Sequence, residues 1–459
     1  MKPQEIIESA LSRSTVDGCT VIVRDRSAAN LRWAANTLTT NGVHQSTEAT
    51  VIAFVNTAGG TATGVYSGVV ADQADLDRLV SAAESSAKSA TAAPDANPLI
   101  TDRTSPDFAE APIPTSAAVF ERFAPELGEA FAKSGAAGRE LFGFAEHEVA
   151  TTYVGSSSGL RLRHVQPTGR VDITGKSANR TRSTWVGAQT RDFTDIQVAD
   201  LEADVAQRLG WAERSIDLPP ARYDVIVPPV AVADLMIYQY WTGAARDAAE
   251  GRTVFSKPGG GTRIGDKLTE QPLTLYSDPA YPGMGCEPFV VAEASSSLSS
   301  VFDNGLELNR TDWVSDGTLA ALGQTRHSAA LTDLAVTPMI DNLVLEHANG
   351  AGSMMDLVAG VERGLLLTTL WYIREVDPQT LLLTGLTRDG VYLIEGGEIS
   401  GVVNNFRFNE SPVDLLSRVT AASATNRCLD REWSDFFTRT AMPALRVADF
   451  NMSTVSQAS

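Results

Sequence analysis

The stretch "YQYWTG", residues 238–243, lies in an apolar helical pattern just upstream of the glycine-rich "SKPGGGTRIG" at 256–265. An enzyme could place its chemistry there, yet the groups on offer are two phenols, an amide, an indole and a hydroxyl. They stack and form hydrogen bonds, but a phenol titrates near about 10 and an amide takes no proton from water. Zinc needs three or four ligands drawn from His, Cys and carboxylates, usually with two at helical or turn spacing. The five histidines (His44, His147, His164, His327 and His347) are scattered, and no two stand at helical pair spacing. "HEVATTY" at 147–153 opens like His-Glu-x-x-His, but Thr151 stands where the second His belongs and the run is strand-like. His147 therefore reads as a partly exposed strand histidine.

Other chemistries fare no better. In "SKPGGGTRIG" the lysine precedes the glycines, so this is not a phosphate loop. Gly259, Gly260 and Gly261 read instead as a mobile loop facing a substrate or partner, or as a plain hairpin tip. Cys286 and Cys428 are nucleophiles by residue type only, since no sequence-local histidine activates either. No Gly-x-Ser-x-Gly elbow occurs. No complete catalytic constellation is visible, and no catalytic residue is assigned.

The elements that position these residues come from a chain of 459 residues, 43% hydrophobic and 20% charged, long enough for two or three domains. A net charge of −19 disfavours nucleic-acid and anionic-membrane partners, whose phosphates need a basic surface. Three distant cysteines and an acid-containing amphipathic first helix fit a reducing, cytoplasmic setting. The apolar run "GLLLTTLWYI" at 364–373 is too short to span a bilayer.

Periodicity predicts an α+β protein. Residues 1–92 read as a helix, strands "CTVIVRD", "TVIAFVN" and "GTATGVYSGVV", and a helix opened at Asp72 or its neighbours. Residues 93–116 are a Pro- and Asp-rich strap, and 117–219 a second α+β unit; both units are expected to hold antiparallel sheets. Residues 220–459 form a strand-rich last domain. Its strands are expected at "PFVVAEA", "NLVLEHA", "LLLTTLWYIREV", "TLLLTGL", "GVYLIEGGEISGVVNNFRF" and "PALRVADF", with hairpins at "IEGGEI" and "TRDGVY". A single helix is expected over 230–249, with Pro228 and Pro229 at its start.

Several stretches in order resemble the TldD/PmbA metalloprotease family. They are "RTVFSKPGGGTRIGDKLTEQPLTLYSDP" (252–279), "DNGLELNRTDW" (303–313), "GSMMDLVAGVERGLLLT" (352–368), "DGVYLIEGGEISGVVNNFRF" (389–408) and "MPALRVADFNMS" (442–453). Upstream, "VGSSSGLRLRH" (154–164) is similar to a turn of the family's middle domain. In catalytic members of that family the helix before the glycine loop carries His-Glu-x-x-x-His, which binds zinc beside a general-base Glu. Here Tyr238 and Gly243 occupy the two histidine positions and Gln239 the glutamate position. Catalytic members add a cysteine ligand near the C-terminus. Cys428 lies close to that place, but one thiolate cannot build the site, and a buried apolar thiol is the alternative.

The resemblance therefore points to the PmbA/TldE branch: a subunit without zinc of its own, paired with a TldD-type catalytic chain that holds the zinc. The pair acts on peptides or unfolded polypeptides. Tyr240 reads as core; Trp241 stays open between core and a peptide groove. Two other readings are a peptidase acting through a site around Cys428 or Cys286, and a peptide-binding homodimer.

Overall fold

A computed structural model describes residues 1–177 and 179–456; residue 178 and the last three residues of the expected C-terminal unit lie outside the described residues. The chain opens with α1 (Pro3–Arg13), β1 (Gly18–Ala34), β2 (Thr37–Thr57), β3 (Gly60–Val69) and α2 (Gln73–Ser89). After the strap come α3 (Phe123–Ala136), β4 (Glu140–Ser156), β5 (Arg161–Ser177), β6 (Arg182–Thr190) and α4 (Val198–Trp211). Asp72 is the N-cap of α2, its side chain accepting from the Asp75 N–H, which satisfies one of the helix's orphan donors.

The segments 1–92 and 117–219 share one sheet. Its order is β3-β2-β1-β4-β5-β6 and every pairing is antiparallel. β1 and β4 join the two halves over fourteen consecutive residues, from Thr20↔Ser156 to Trp33↔Gly143. The strands are far longer than their apolar cores, because the hairpin of β1 and β2 continues through the largely exposed residues 37–47.

The rest of the chain forms two more sheets. The first uses β7 (Ser215–Ile216) and β8 (Ala221–Val227) with later strands; next come α5 (Pro229–Trp241), α6 (Ala245–Ala249), β9 (Leu273–Ser277), β10 (Thr311–Ser315) and β11 (Thr318–Leu319). There follow α7 (Arg326–Thr332), β12 (Leu343–His347), α8 (Met354–Ala359), β13 (Arg363–Asp377), β14 (Leu382–Glu395) and β15 (Glu398–Val403). The chain closes with β16 (Phe406–Glu410), α9 (Pro412–Ser417), β17 (Val419–Ala422), β18 (Asn426–Cys428), β19 (Thr440–Met442) and β20 (Leu445–Val455). One sheet runs β11-β10-β9-β12-β19-β18 and the other β13-β8-β20-β16-β14-β15-β7.

Helix α5 packs on β13 of one sheet and β19 of the other. Leu235, Met236 and Ile237, on different faces, are all at most 1% exposed. Each such burial contributes roughly 1.5–3 kcal/mol. This is a central helix, apolar nearly all round.

Three expectations are corrected. "PFVVAEA" is not a strand but a loop with one isolated bridge, Phe289↔Glu307, because Pro288 and the serines after it offer no alternating pattern to pair. "TRDGVY" is not a hairpin: β14 runs straight through it, and Asp389 and Gly390, both at positive φ, absorb an irregularity in its pairing with β13. The helix expected over 230–249 is broken into α5 and α6, for reasons that belong to the site.

Candidate functional site around helix α5

The helix stops at Trp241, more than two turns short of the expected end. Thr242 turns its N–H and its hydroxyl back to the Tyr238 carbonyl at 3.2 and 3.1 Å, capping the end. Gly243 then leaves helical geometry, and its carbonyl accepts from Gly323 N–H at 2.7 Å. A parallel bridge between Ala244 and Gly323 fixes the crossing before α6 begins. Gly243 therefore stands outside the helix that carries Tyr238 and Gln239.

Each side chain of "YQYW" has a different fate. Tyr240 is core: its hydroxyl donates to the Ile340 carbonyl at 3.0 Å and accepts from the Ile340 N–H at 2.7 Å. Burial pushes its phenol far above the usual range. Gln239 is 3% exposed and its Oε1 has no partner. It borders a small void of ≈ 20 Å³ walled by Phe255, Leu275, Trp313 and Leu322, an apolar setting that leaves the amide nothing to act on. Tyr238 and Trp241 are half-buried and hold Trp433 between them, with ring centroids at 5.6 and 5.4 Å. Trp241 also meets Phe437 edge-on at 6.2 Å.

Trp433 belongs to the loop between β18 and β19, and no local motif in that loop marks it. Its indole N–H donates to the Asp234 carbonyl at 2.9 Å. Asp234 Oδ1 accepts the N–H groups of Arg431 and Glu432, while Oδ2 has no partner. Asp430, 0% exposed, has neither carboxyl oxygen partnered. Burial pushes Asp430 up to about 8, and burial followed by the Asp430 charge raises Asp234 well above the carboxylate range. A lone acid inside "VAVADLMIY" was the visible signal for Asp234; Asp430, among the charges of "LDREW", gave none.

The sequence-predicted positions are not brought together. Cys428 Sγ lies 3.5 Å from the Pro229 carbonyl and 3.5 Å from Thr440 Oγ1, at the start of α5. Tyr238 is nine residues further along, about 13 Å at 1.5 Å per residue. Burial pushes the Cys428 thiol up to about 12. Tyr238, Gln239 and Gly243 do not fit a zinc ion: a raised phenol wedged against Trp433, a buried amide and no side chain. Among the described residues no group of three His, Cys, Asp or Glu could hold a metal ion. His147 is buried rather than partly exposed, with its ring nitrogens 2.6 Å from Thr115 Oγ1 and 2.9 Å from the Arg191 carbonyl. Gly259, Gly260 and Gly261 form an exposed tip at positive φ, closed by the bridge Ser256↔Thr262.

Beside the same loop opens a cleft. Two adjoining cavities, ≈ 590 and ≈ 320 Å³, lie between β1, β4 and β5 and residues 431–439, sharing Glu146, Arg170, Ser434 and Asp435. Arg170 bridges the walls, 2.6 Å from Asp435 and 3.4 Å from Glu146. Phe436 lines the smaller cavity and is 78% exposed.

Residues 220–454 match the family model described as the PmbA/TldA metallopeptidase C-terminal domain. The fold over nearly the whole chain is similar to that of TldE from Thermococcus kodakarensis, with a TM-score of 0.78 at 14% identity, covering 98% of this chain and 99% of that one. It is also similar to a protein described as a candidate modulator of a DNA gyrase from Thermotoga maritima (TM-score 0.76, 14% identity, 98% and 99% covered). A third likeness is a candidate modulator of DNA gyrase from Bacteroides thetaiotaomicron (TM-score 0.73, 14% identity, 98% of each chain). No curated protein matches the chain in sequence.

Proposed function

The chain belongs to the TldD/PmbA metallopeptidase family, and from that premise we propose that it is the PmbA/TldE-type subunit of a two-chain zinc protease. In this reading a TldD-type partner holds the zinc and cuts peptides or unfolded polypeptides in the cytoplasm. The present chain completes the enclosure and lines part of the substrate path.

One observation carries the reading: the end of α5, where catalytic relatives are expected to hold their ligands, is filled with packing. Gln239 faces apolar walls, Tyr238 and Trp241 grip Trp433, and Gly243 has left the helix. A general base must accept a proton and a zinc ligand must carry a donor, and an amide and a glycine do neither. The cleft beside Arg170 and Phe436 supports the second half, since it offers an extended chain both charge and an aromatic platform.

The test is zinc content and peptide cleavage, with this chain alone and then mixed with a His-Glu-x-x-x-His homologue from the same source. The reading expects no bound zinc and no cleavage alone, and activity in the mixture. Stoichiometric zinc or robust cleavage by the lone chain overturns it, as does a homologue whose activity is indifferent to this chain.

A further inference from the structure

A separate cavity of ≈ 240 Å³ lies between the C-terminal end of α4 and the N-terminal end of α5. Its charge is unexpected. The chain carries 56 acidic against 37 basic side chains, yet the cavity wall includes Arg208 and Arg427 and no aspartate or glutamate.

The two arginines differ. Arg427 spends its charge on Asp195, 2.6 Å away at the surface. Arg208 gives Nη1 to the Trp185 carbonyl at 2.8 Å, and among the described residues it has no carboxylate partner. Burial pulls its guanidinium downward, opposed only by Asp204, one turn back on α4, and by Tyr392. A sheltered charge with no carboxylate in contact is costly, and proteins normally pair it.

The start of α5 borders the same space. Helix α5 has Pro228 as its N-cap, with no side-chain capping bond and no acid in its first turn. Its Val230 and Ala231 N–H groups precede the first intrahelical bond, made by Val232 to the Pro228 carbonyl. Val230 lines the cavity, so the positive end of the helix dipole adds to Arg208. The remaining wall is largely apolar or aromatic, with Trp211, Met354, Leu366 and Leu367, and also holds Thr368 and Cys428. Its volume lies below the about 300–1,000 Å³ of drug-sized sites, so the ligand is small.

We infer that this cavity binds a small carboxylate with an apolar body, its carboxylate on Arg208 and the start of α5, its body against Trp211 and Met354. Planar, bidentate recognition of a carboxylate is what a guanidinium does well. The same chemistry occurs in a free aryl or alkyl carboxylic acid and in the C-terminal residue of a peptide. The inference does not depend on the chain having a catalytic partner.

Calorimetric titration of the full chain tests it with four probes: 3-phenylpropanoate, its amide, N-acetylphenylalanine and inorganic phosphate. The expected result is saturable binding of one acid per chain, with the neutral amide weaker by about tenfold or more. Arg208→Gln is expected to cost the acids a similar factor. Met354→Trp, which fills the cavity without touching the charge, is expected to abolish binding, and it decides the matter if Arg208→Gln fails to fold. Tighter binding of N-acetylphenylalanine assigns a peptide terminus, and tighter binding of 3-phenylpropanoate a free acid; either supports the site. An amide that binds as well as the acid, an unaffected Arg208→Gln or Met354→Trp, no saturable binding, or phosphate binding as tightly as the acids (an adventitious ion only) overturns it.

Discussion

The backbone N–H of Glu432 donates to Oδ1 of Asp234 across 2.8 Å, so a carboxylate buried in α5 fixes a loop two hundred residues downstream. Glu432 passes the order on. Its own carboxylate accepts the N–H groups of Tyr372 and Ile373 at 2.9 and 3.1 Å, where β13 bulges. Tyr372 sits there at φ 51, a left-handed conformation that a bulky residue adopts only when its surroundings hold it. The helix end, the loop and the bulge are one unit, and the Asp234–Asp430 pair is at its centre.

That pair makes the unit sensitive to pH. Asp430 is raised to about 8 by burial, and Asp234 is raised by burial and by the Asp430 charge, while the unfolded carboxyls titrate near about 3.9. Glu432 and Cys428 face the same space and Arg170 opposes from the cleft. Between those values the folded chain holds protons that the unfolded chain has lost. The contribution is fully present below about pH 4 and is lost as pH rises through about 8. Asp430→Asn is expected to be the more stable protein at pH 8 by a few kcal/mol, with the advantage shrinking toward pH 5. Urea midpoints of both proteins across that range check it. Parallel pH curves would mean that the two carboxyls do not share the cost.

Tyr240→Phe isolates the packing of "YQYW" from any chemistry. The change strips Ile340 of the hydroxyl that serves both its N–H and its carbonyl, inside the core. An orphaned buried donor costs about 1–3 kcal/mol. The urea midpoint should fall with the slope unchanged. Tyr66→Phe, at an exposed tyrosine, should stay within about 0.5 kcal/mol of wild type.

Legibility in the sequence followed the physics of each segment. Alternation and capping made the antiparallel strands and Asp72 readable, because each is a local signal. The length of β2 was hidden, since residues 37–47 are held by pairing with β1 and not by burial. The break after Trp241 was hidden for a similar reason: the bond of Gly243 to Gly323 joins positions eighty residues apart. Tyr240 was readable as core from its spacing. Trp433 was not, because its partners Tyr238, Trp241 and Asp234 all lie on a distant helix.

Trp241 is half-buried against Trp433, and whether it serves as core or groove can be measured. It touches Trp433 and Phe437, each contact worth about 0.5–1.5 kcal/mol beyond burial. Trp241→Ala should therefore loosen residues 430–438, speeding their amide exchange by roughly tenfold while the sheet of β1 to β6 exchanges as before. Exchange unchanged in the loop would make Trp241 a surface residue free to meet a ligand.

The cysteines decide whether the chain could act as an enzyme by another route. All three are buried, and burial pushes Cys19 up to about 11 and Cys286 and Cys428 up to about 12. At pH 8 a thiol at 12 is a thiolate in roughly one molecule in ten thousand, too little to attack an amide or a disulfide reagent. A helix start such as that of α5 can lower a thiol, but Cys428 Sγ is turned to the Pro229 carbonyl and to Thr440, which leaves burial in control. Native protein should therefore show no fast reaction with 5,5′-dithiobis(2-nitrobenzoate), and three thiols should appear in guanidinium. Slow release in the native state should follow the opening of the fold, so Asp430→Asn should slow it at pH 8. Rapid labelling of Cys428 in the folded chain would revive a cysteine nucleophile and count against the non-catalytic subunit.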